Sequence, residues 1–356
     1  MYYGIDLHSD NLKGAVLGDN GNEPKILRSS IEPEYLGKFL KKLTKEDYIA
    51  VEASTNTFWF YDQVKPLVKE CYVIDPGKFA LVSNSMVKTD KRDAVSLVRM
   101  LKYSVNTGEP LHTVYVPVED VREIRSLFTS RNLVKANITR LKNRIHSLLK
   151  QNGHKQEKES LDKYGALDKI LQLDLSETVK VQLTILFKQM EGMIEDSEVL
   201  RKTIMVKGKI FEKEIKLLTS IKGISPFTAI GIMSDVADIN RFPNAKHFCS
   251  YLRSAPKVDS SNQTTKIGKV NKCSRHVSME LLIESIPHFL SCKRYDFFYE
   301  RKCKGKSKGK ARVAIARKVM VAIYYMLKRK ELFHWVEKDC YEKKVKEYEK
   351  FLKKVA

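Results

Sequence analysis

The chain has 356 residues, a length that suits two or three folding units, and with 43% hydrophobic residues it can bury real cores, which excludes wholesale disorder. No apolar run approaches a membrane span, and Met1-Tyr2-Tyr3-Gly4-Ile5-Asp6 is not the basic-then-apolar start of a signal peptide, so a cytoplasmic protein without a membrane partner is expected. Lys and Arg outnumber Asp and Glu by 65 to 43, and the resulting +22 is a field that concentrates polyanions, most commonly a phosphate backbone.

The first hundred residues alternate apolar runs with turns. Tyr2–Leu7 and Lys13–Leu17 read as strands separated by polar His8-Ser9-Asp10-Asn11, and Lys25–Ser30 follows the turn-forming Asp19-Asn20-Gly21-Asn22. Glu34–Leu43 has helical spacing, Tyr48–Glu52 is a buried-type strand, and Cys71–Ile74 is another, ending at Asp75-Pro76-Gly77. Three strands, helix, strand, helix, strand imply an α/β sheet.

A longer period then begins. Ile124, Phe128, Arg131, Val134, Ile138, Leu141, Ile145 and Leu148 follow steps of four and three, a heptad pattern with one polar interruption, closed by Gln151-Asn152-Gly153. A second helical stretch is expected from about Glu177 to Leu218. Two such helices make either an antiparallel arm or a dimerising coiled coil; a plain packed bundle satisfies the pattern equally. From Leu217 the chain reads helix, glycine turn at Gly223, helix; residues 254–275 read as a polar loop, and helices return from about His276. Arg301 to Ala356 holds 19 Lys+Arg against 6 Asp+Glu. Lysine-rich helices are most often solvated faces, yet this excess suits a nucleic-acid backbone. The six cysteines are scattered without a close pair and read as ordinary thiols.

Four acids stand out: Asp6, Glu52, Asp90 and Asp93. Asp6 and Glu52 lie at or near strand ends, where ligands sit in α/β sheets. Asp90 and Asp93, three apart at a helix start, share one face. Hard carboxylate oxygens suit Mg²⁺, and paired metals can clamp a phosphodiester; singly, each acid equally serves as a cap. The Ile221-Lys222-Gly223-Ile224-Ser225 turn resembles half of a helix-hairpin-helix, which grips phosphate with backbone N–H groups, although joining two packed helices explains it as well. Ser260 and Ser261 precede Lys266, Lys269 and Lys272. Lysines there would neutralise phosphate and a hydroxyl would attack it, with no obvious base nearby.

In this order the pieces resemble the DEDD-type transposases of insertion sequences, the group related to the Piv DNA invertase and including bridge-RNA-guided recombinases. The match rests on Gly4-Ile5-Asp6, Val51-Glu52-Ala53-Ser54, Lys88-Thr89-Asp90-Lys91-Arg92-Asp93-Ala94 and the segment from Ile221 to Lys272, with Arg241-Phe242-Pro243-Asn244-Ala245 and Tyr251-Leu252 within it. The resemblance implies a RuvC-like (RNase H-type) α/β domain at 1–115, a coiled-coil connector at 116–216, a mostly α transposase domain at 217–300 and a basic helical tail at 301–356. It implies Mg²⁺, with Mn²⁺ as a substitute, on Asp6, Glu52, Asp90 and Asp93. It places the nucleophile at Ser261, with Ser260 one step away, and a transient phosphoserine link to DNA. Lys88, Lys91, Arg92, Lys266, Lys269 and Lys272 would meet the backbone. Donor and target DNA, a noncoding bridge RNA and a homo-oligomer, dimer or tetramer, are the implied partners. Three positions depart from the pattern: Asn262 stands where a glycine is usual, Arg253 likewise, and Lys272-Cys273-Ser274 replaces Lys-x-Gly. Two rivals compete. One is a RuvC-like two-metal nuclease that uses water; the other is a non-catalytic basic nucleic-acid scaffold.

Overall fold

The computed structural model describes residues 1–21, 23–83, 90–155, 161–163, 165–261, 264–270, 277–291, 293–305 and 307–355; for residues 80–83, 90, 91, 256–261, 264–267, 269, 270, 293, 294 and 355 it describes the backbone alone. The chain divides into two compact units, Met1–Pro117 and Val118–Ala356.

The first unit is built on β1 (Tyr2–Leu7), β2 (Asn11–Leu17), β3 (Lys25–Ser30), β4 (Tyr48–Glu52) and β5 (Glu70–Ile74), arranged β3-β2-β1-β4-β5. The short polar turns force β1, β2 and β3 into antiparallel pairing, whereas β4 and β5 run parallel to β1 because helices connect them. Strand alternation splits the core in two. Tyr3, Ile5, Leu7, Ile49 and Val51 pack on one face, with Leu36 and Phe39 of α1 (Pro33–Leu40) and Phe60 and Val64 of α2 (Thr57–Val64). Tyr2, Ala15, Leu17, Ala50 and Ile74 pack on the other with Phe79 of α3 (Pro76–Ser83) and Ala94, Leu97, Val98 and Leu101 of α4 (Asp90–Thr107). The strand and helix order matches the expectation. α1 ends at Leu40, short of the expected Leu43, and β2 starts two residues earlier than Lys13.

The second unit opens with α5 (Glu119–Gln151), then α6 (Ala166–Leu171) and α7 (Glu177–Lys207). α5 and α7 lie antiparallel: Ile145 and Leu148 at the end of α5 pack with Leu183 and Phe187 near the start of α7, while Ile124 and Phe128 share a core with Ile204 and Met205 at its end. The polar interruption of the heptad has a packing role, since the Arg131 guanidinium lies 4.8 Å over the Phe227 ring. The expected single helix to Leu218 is broken instead. A 3-10 turn at Gly208–Phe211 separates α7 from α8 (Glu212–Thr219), and Gly208 lies so close to Ile230 that an added Cβ would come within 2.3 Å of it.

From α8 on, the unit is a helical body: α9 (Pro226–Val236), α10 (Ala245–Tyr251), α11 (Val277–Glu284), α12 (Ile286–Phe289), α13 (Lys293–Cys303), α14 (Lys308–Arg329) and α15 (Lys338–Val355). The basic C-terminal stretch belongs to this body. α14 buries Ile315, Ala316, Val319, Met320 and Ile323 in the main core and turns its lysines and arginines outward. A second correction concerns the expected loop over 254–275. Residues 256–261 and 264–270 pair as an antiparallel β-hairpin, β6 (Pro256–Ser261) against β7 (Thr264–Val270), with Ser261 opposite Thr264. Thr264, Thr265, Ile267 and Val270 supply the β-branched residues that favour it; polarity masked them. No helix among the described residues is long and apolar enough to cross a membrane.

Candidate functional site

Three local devices bring the backbone positions of Asp6, Glu52 and the start of α4 to the same side of the sheet. β1 and β4 are parallel neighbours paired up to Ile5 and Val51, so Asp6 and Glu52 follow one step later, side by side at the carboxyl ends of the two central strands. By strand alternation both share the face of Gly4 and Ala50, the face α4 covers. α4 in turn crosses β1 at Gly4. A Cβ there would sit 2.5 Å from Val98 N and 2.6 Å from Ala94 O, so only glycine admits the helix backbone this close to the sheet. Asp93 precedes Ala94, and Asp90 starts the helix. The glycine of Gly4-Ile5-Asp6 therefore docks the helix that carries the second pair of acids.

Asp6 and Glu52 are half-buried, as is Asp93. The register sets Asp6 beside Lys13 on β2, and His8 Nε2 lies 3.4 Å from Asp6 Oδ2. The turn after β4 ties the two strand ends together. Ser54 Oγ donates to Leu7 O, and Asn56 Nδ2 donates to His8 O at 2.8 Å. Thr57 Oγ1 donates to Glu52 O at 2.8 Å and accepts from Ser54 N at 2.8 Å. His8, Asn56 and Thr57 are not among the residues the sequence singles out, and Ser54 enters there only as the end of the Val51-Glu52-Ala53-Ser54 stretch. The run of hydroxyl and amide residues directly after Glu52 was the available signal.

Carboxylates are the donor set a hard cation takes, and the backbone brings Asp6, Glu52 and the start of α4 to one edge of the sheet. Among the described residues no three carboxylate, His or Cys side chains close on one point, and Asp90 is described by its backbone alone. Of the candidate basic residues, Arg92 is exposed on α4, Lys91 is described by backbone only, and Lys88 lies outside the described residues.

In the second unit Ser260 and Ser261 are the last residues of β6, paired with Thr265 and Thr264. Successive strand residues belong to opposite faces, so the two serines are not equivalent. Lys266 and Lys269 lie on β7; Asn262 and Lys272 fall outside the described residues. The base of the hairpin is firmly built. Arg241 caps the end of α9 by donating from Nε to Val236 O at 3.0 Å, and its guanidinium stacks on Phe242 and Tyr251 at 4.3 and 4.2 Å. Asn244 caps α10 by accepting from Lys246 N and His247 N. Arg253 takes φ of +57°, the left-handed conformation a glycine adopts freely, so the chain keeps the glycine backbone without the glycine.

The α8–α9 turn is a packed joint rather than an open phosphate grip. Gly223 has φ of +93°, and a Cβ added there would come within 2.9 Å of His288 and Phe289. Ile224 N donates to Ile221 O, and Thr228 N to Ser225 Oγ. Lys344 of α15 donates to the Thr219, Ile221 and Ile224 carbonyls, burial holding its ammonium below the usual lysine range.

Comparison with known proteins returns two family matches. A DEDD transposase family of the IS110 type matches residues 3–153, and the "Transposase IS116/IS110/IS902 family" matches residues 215–295. The transposase for insertion sequence element IS1533 of Leptospira borgpetersenii is 23% identical over 259 residues, 69% of this chain and 72% of that protein. The putative transposase y4qE of Sinorhizobium fredii is 23% identical over 245 residues, 67% of this chain and 57% of that protein.

Proposed function

We infer that this chain, a transposase of the IS110 family, cuts and rejoins DNA with Ser261 as nucleophile and with Asp6, Glu52, Asp90 and Asp93 as metal-binding acids. The observation that carries the reading is the docking of α4 on β1 at Gly4, which brings an acidic helix start to the strand ends bearing Asp6 and Glu52. A mixed sheet with three antiparallel and two parallel strands supports a RuvC-like fold for residues 1–115, followed by a helical connector (116–216), a transposase domain (217–300) and a basic helical segment (301–356).

Mg²⁺, or Mn²⁺ in its place, supplies Lewis-acid charge neutralisation of the phosphodiester when bound. The residues do the rest. Asp6 and Glu52 offer two neighbouring carboxylates on rigid strand ends, locked by the Ser54, Asn56 and Thr57 hydrogen bonds. Ser261 Oγ bonds to phosphorus as the P–O bond to the departing sugar hydroxyl breaks, and the serine proton leaves with the reaction's net transfer to that oxygen. Attack by a second strand's hydroxyl reverses the step. Lys88, Lys91, Arg92, Lys266, Lys269 and Lys272 neutralise donor and target DNA, and a noncoding bridge RNA selects both. The protein acts in the cytoplasm as a dimer or tetramer.

The test is incubation of the full chain with Mg²⁺, the element's RNA and its DNA, followed by denaturing electrophoresis. A covalent protein–DNA species that Ser261→Ala abolishes and Ser260→Ala keeps is expected, with Asp6→Asn lowering its yield. Cutting that persists in Ser261→Ala with no adduct would mean hydrolysis by water at the acidic site. No cutting under any condition, with binding intact in Asp6→Asn, would mean a scaffold.

A further inference from the structure

Three contacts fix His8 at the acid edge of the sheet. It lies two residues after Asp6 and one past the end of β1, so strand alternation sets both side chains toward the same side. Its backbone is held at both ends: His8 N donates to Asn11 O at 2.9 Å, and His8 O accepts from Asn56 Nδ2 at 2.8 Å. The side chain is 38% exposed, yet its Nε2 is turned away from solvent and lies 3.4 Å from Asp6 Oδ2.

That separation decides between two roles. A histidine that orients a carboxylate by a hydrogen bond sits about 2.7–3.2 Å from it. Two donors bound to one cation at about 2.1 Å each, and about 90–110° apart around it, are about 3.0–3.4 Å from each other. The Asp6–His8 pair is too long for the first arrangement and fits the second.

We propose that His8 Nε2 is a ligand of the cation that Asp6 holds, so that one hairpin edge supplies an oxygen and a nitrogen to the same ion. The proposal rests on the reading of Asp6, Glu52, Asp90 and Asp93 as metal-binding acids. Mg²⁺ is a hard ion that takes oxygen and keeps its waters, and it gains little from imidazole; transition ions do gain from it. His8 therefore tilts an otherwise carboxylate site toward Mn²⁺ and Co²⁺.

The experiment uses the full chain without nucleic acid and reads bound metal rather than DNA cleavage. With stoichiometric Mn²⁺, pulsed electron paramagnetic resonance should show coupling to an imidazole nitrogen in the parent, and none in His8→Ala or in the bulkier His8→Gln. With Co²⁺, followed by its visible absorption, His8→Ala should raise Kd by on the order of tenfold, while the Kd for Mg²⁺ in competition changes less than about threefold. Circular dichroism of both variants should match the parent, since the ring is partly exposed. Equal losses of Co²⁺ and Mg²⁺ affinity would mean that His8 only shapes the edge, and would overturn the proposal. So would Mn²⁺ that Asp6→Asn displaces but that shows no imidazole nitrogen, or keeps it in His8→Ala; the acidic metal site would then still stand. Metal binding indifferent to Asp6→Asn, or no binding at all, would overturn both.

Discussion

Replacing Gly4 with alanine probes the link between packing and chemistry. The added Cβ meets two backbone atoms, Val98 N at 2.5 Å and Ala94 O at 2.6 Å, and neither can rotate away as a side chain would. Ordinary contact needs close to an ångström more, so α4 must lift from β1 by roughly 0.7–1 Å. Overpacking of this kind costs about 1–3 kcal/mol, which lowers the melting temperature of a unit this size by roughly 4–12 °C. On the proposed function, the lift also shifts Asp93, the neighbour of Ala94, relative to the strand ends bearing Asp6 and Glu52. A misplacement near 1 Å at a reacting centre costs about 100-fold in rate. Thermal unfolding and Mg²⁺-dependent DNA cleavage, measured on the same preparation well below the melting temperature, separate the two effects. Cleavage should fall far more than the folded fraction does. Cleavage that tracks the folded fraction would refute the idea that Gly4 sets the acids, and an unchanged melting temperature would refute the packing argument beneath it.

Other perturbations test the supporting structure. Thr57→Val keeps the shape but deprives Ser54 N of its acceptor and Glu52 O of its donor; a loss of about 1–3 kcal/mol is expected by urea unfolding. Gly223→Ala places a methyl 2.9 Å from the Phe289 ring at φ of +93°, and should destabilise by about 2 kcal/mol or more, with wild-type stability refuting the packed joint. Arg253→Gly should stabilise by up to about 1 kcal/mol, since it relieves a left-handed non-glycine residue; a decrease would mean the arginine side chain outweighs the strain. Burial pushes the Cys71 thiol from its ordinary 9.0 up to about 12, so the folded state holds that proton more tightly than the unfolded chain. Its contribution is therefore complete below pH 9 and is lost as pH rises toward 12; Cys71→Ala should flatten that part of the stability–pH curve. At pH 8, iodoacetamide should reach the half-exposed Cys303 and Cys340 long before Cys71, as read by mass spectrometry.

Much of the first unit was legible because its signals are local. Alternation and short polar turns mark β1, β3 and β4 to the residue, and Asp90 and Asp93 fall at a helix start as their spacing implies. The Ser260–Ser261 segment reads as a loop for an equally local reason: polar Lys, Asp, Ser and Thr outnumber the apolar residues in both strands of the hairpin, and a strand with little apolar alternation looks like a loop. The close packing at Gly208 is not visible in a local window, because its neighbour Ile230 belongs to another helix.

By itself, then, the sequence determined the periods, the turns and the charge: which segments are strand or helix, where acids stand within them, and that the chain carries an excess of +22. Tertiary structure alone decided pairing. That Asp6 lies beside Glu52 depends on β1 and β4 joining in parallel across more than forty intervening residues. That Gly4 matters depends on α4 lying on it. A period fixes what a residue shares a face with along its own element. Which element meets that face is set by burial summed over the whole core, and no local window contains that sum.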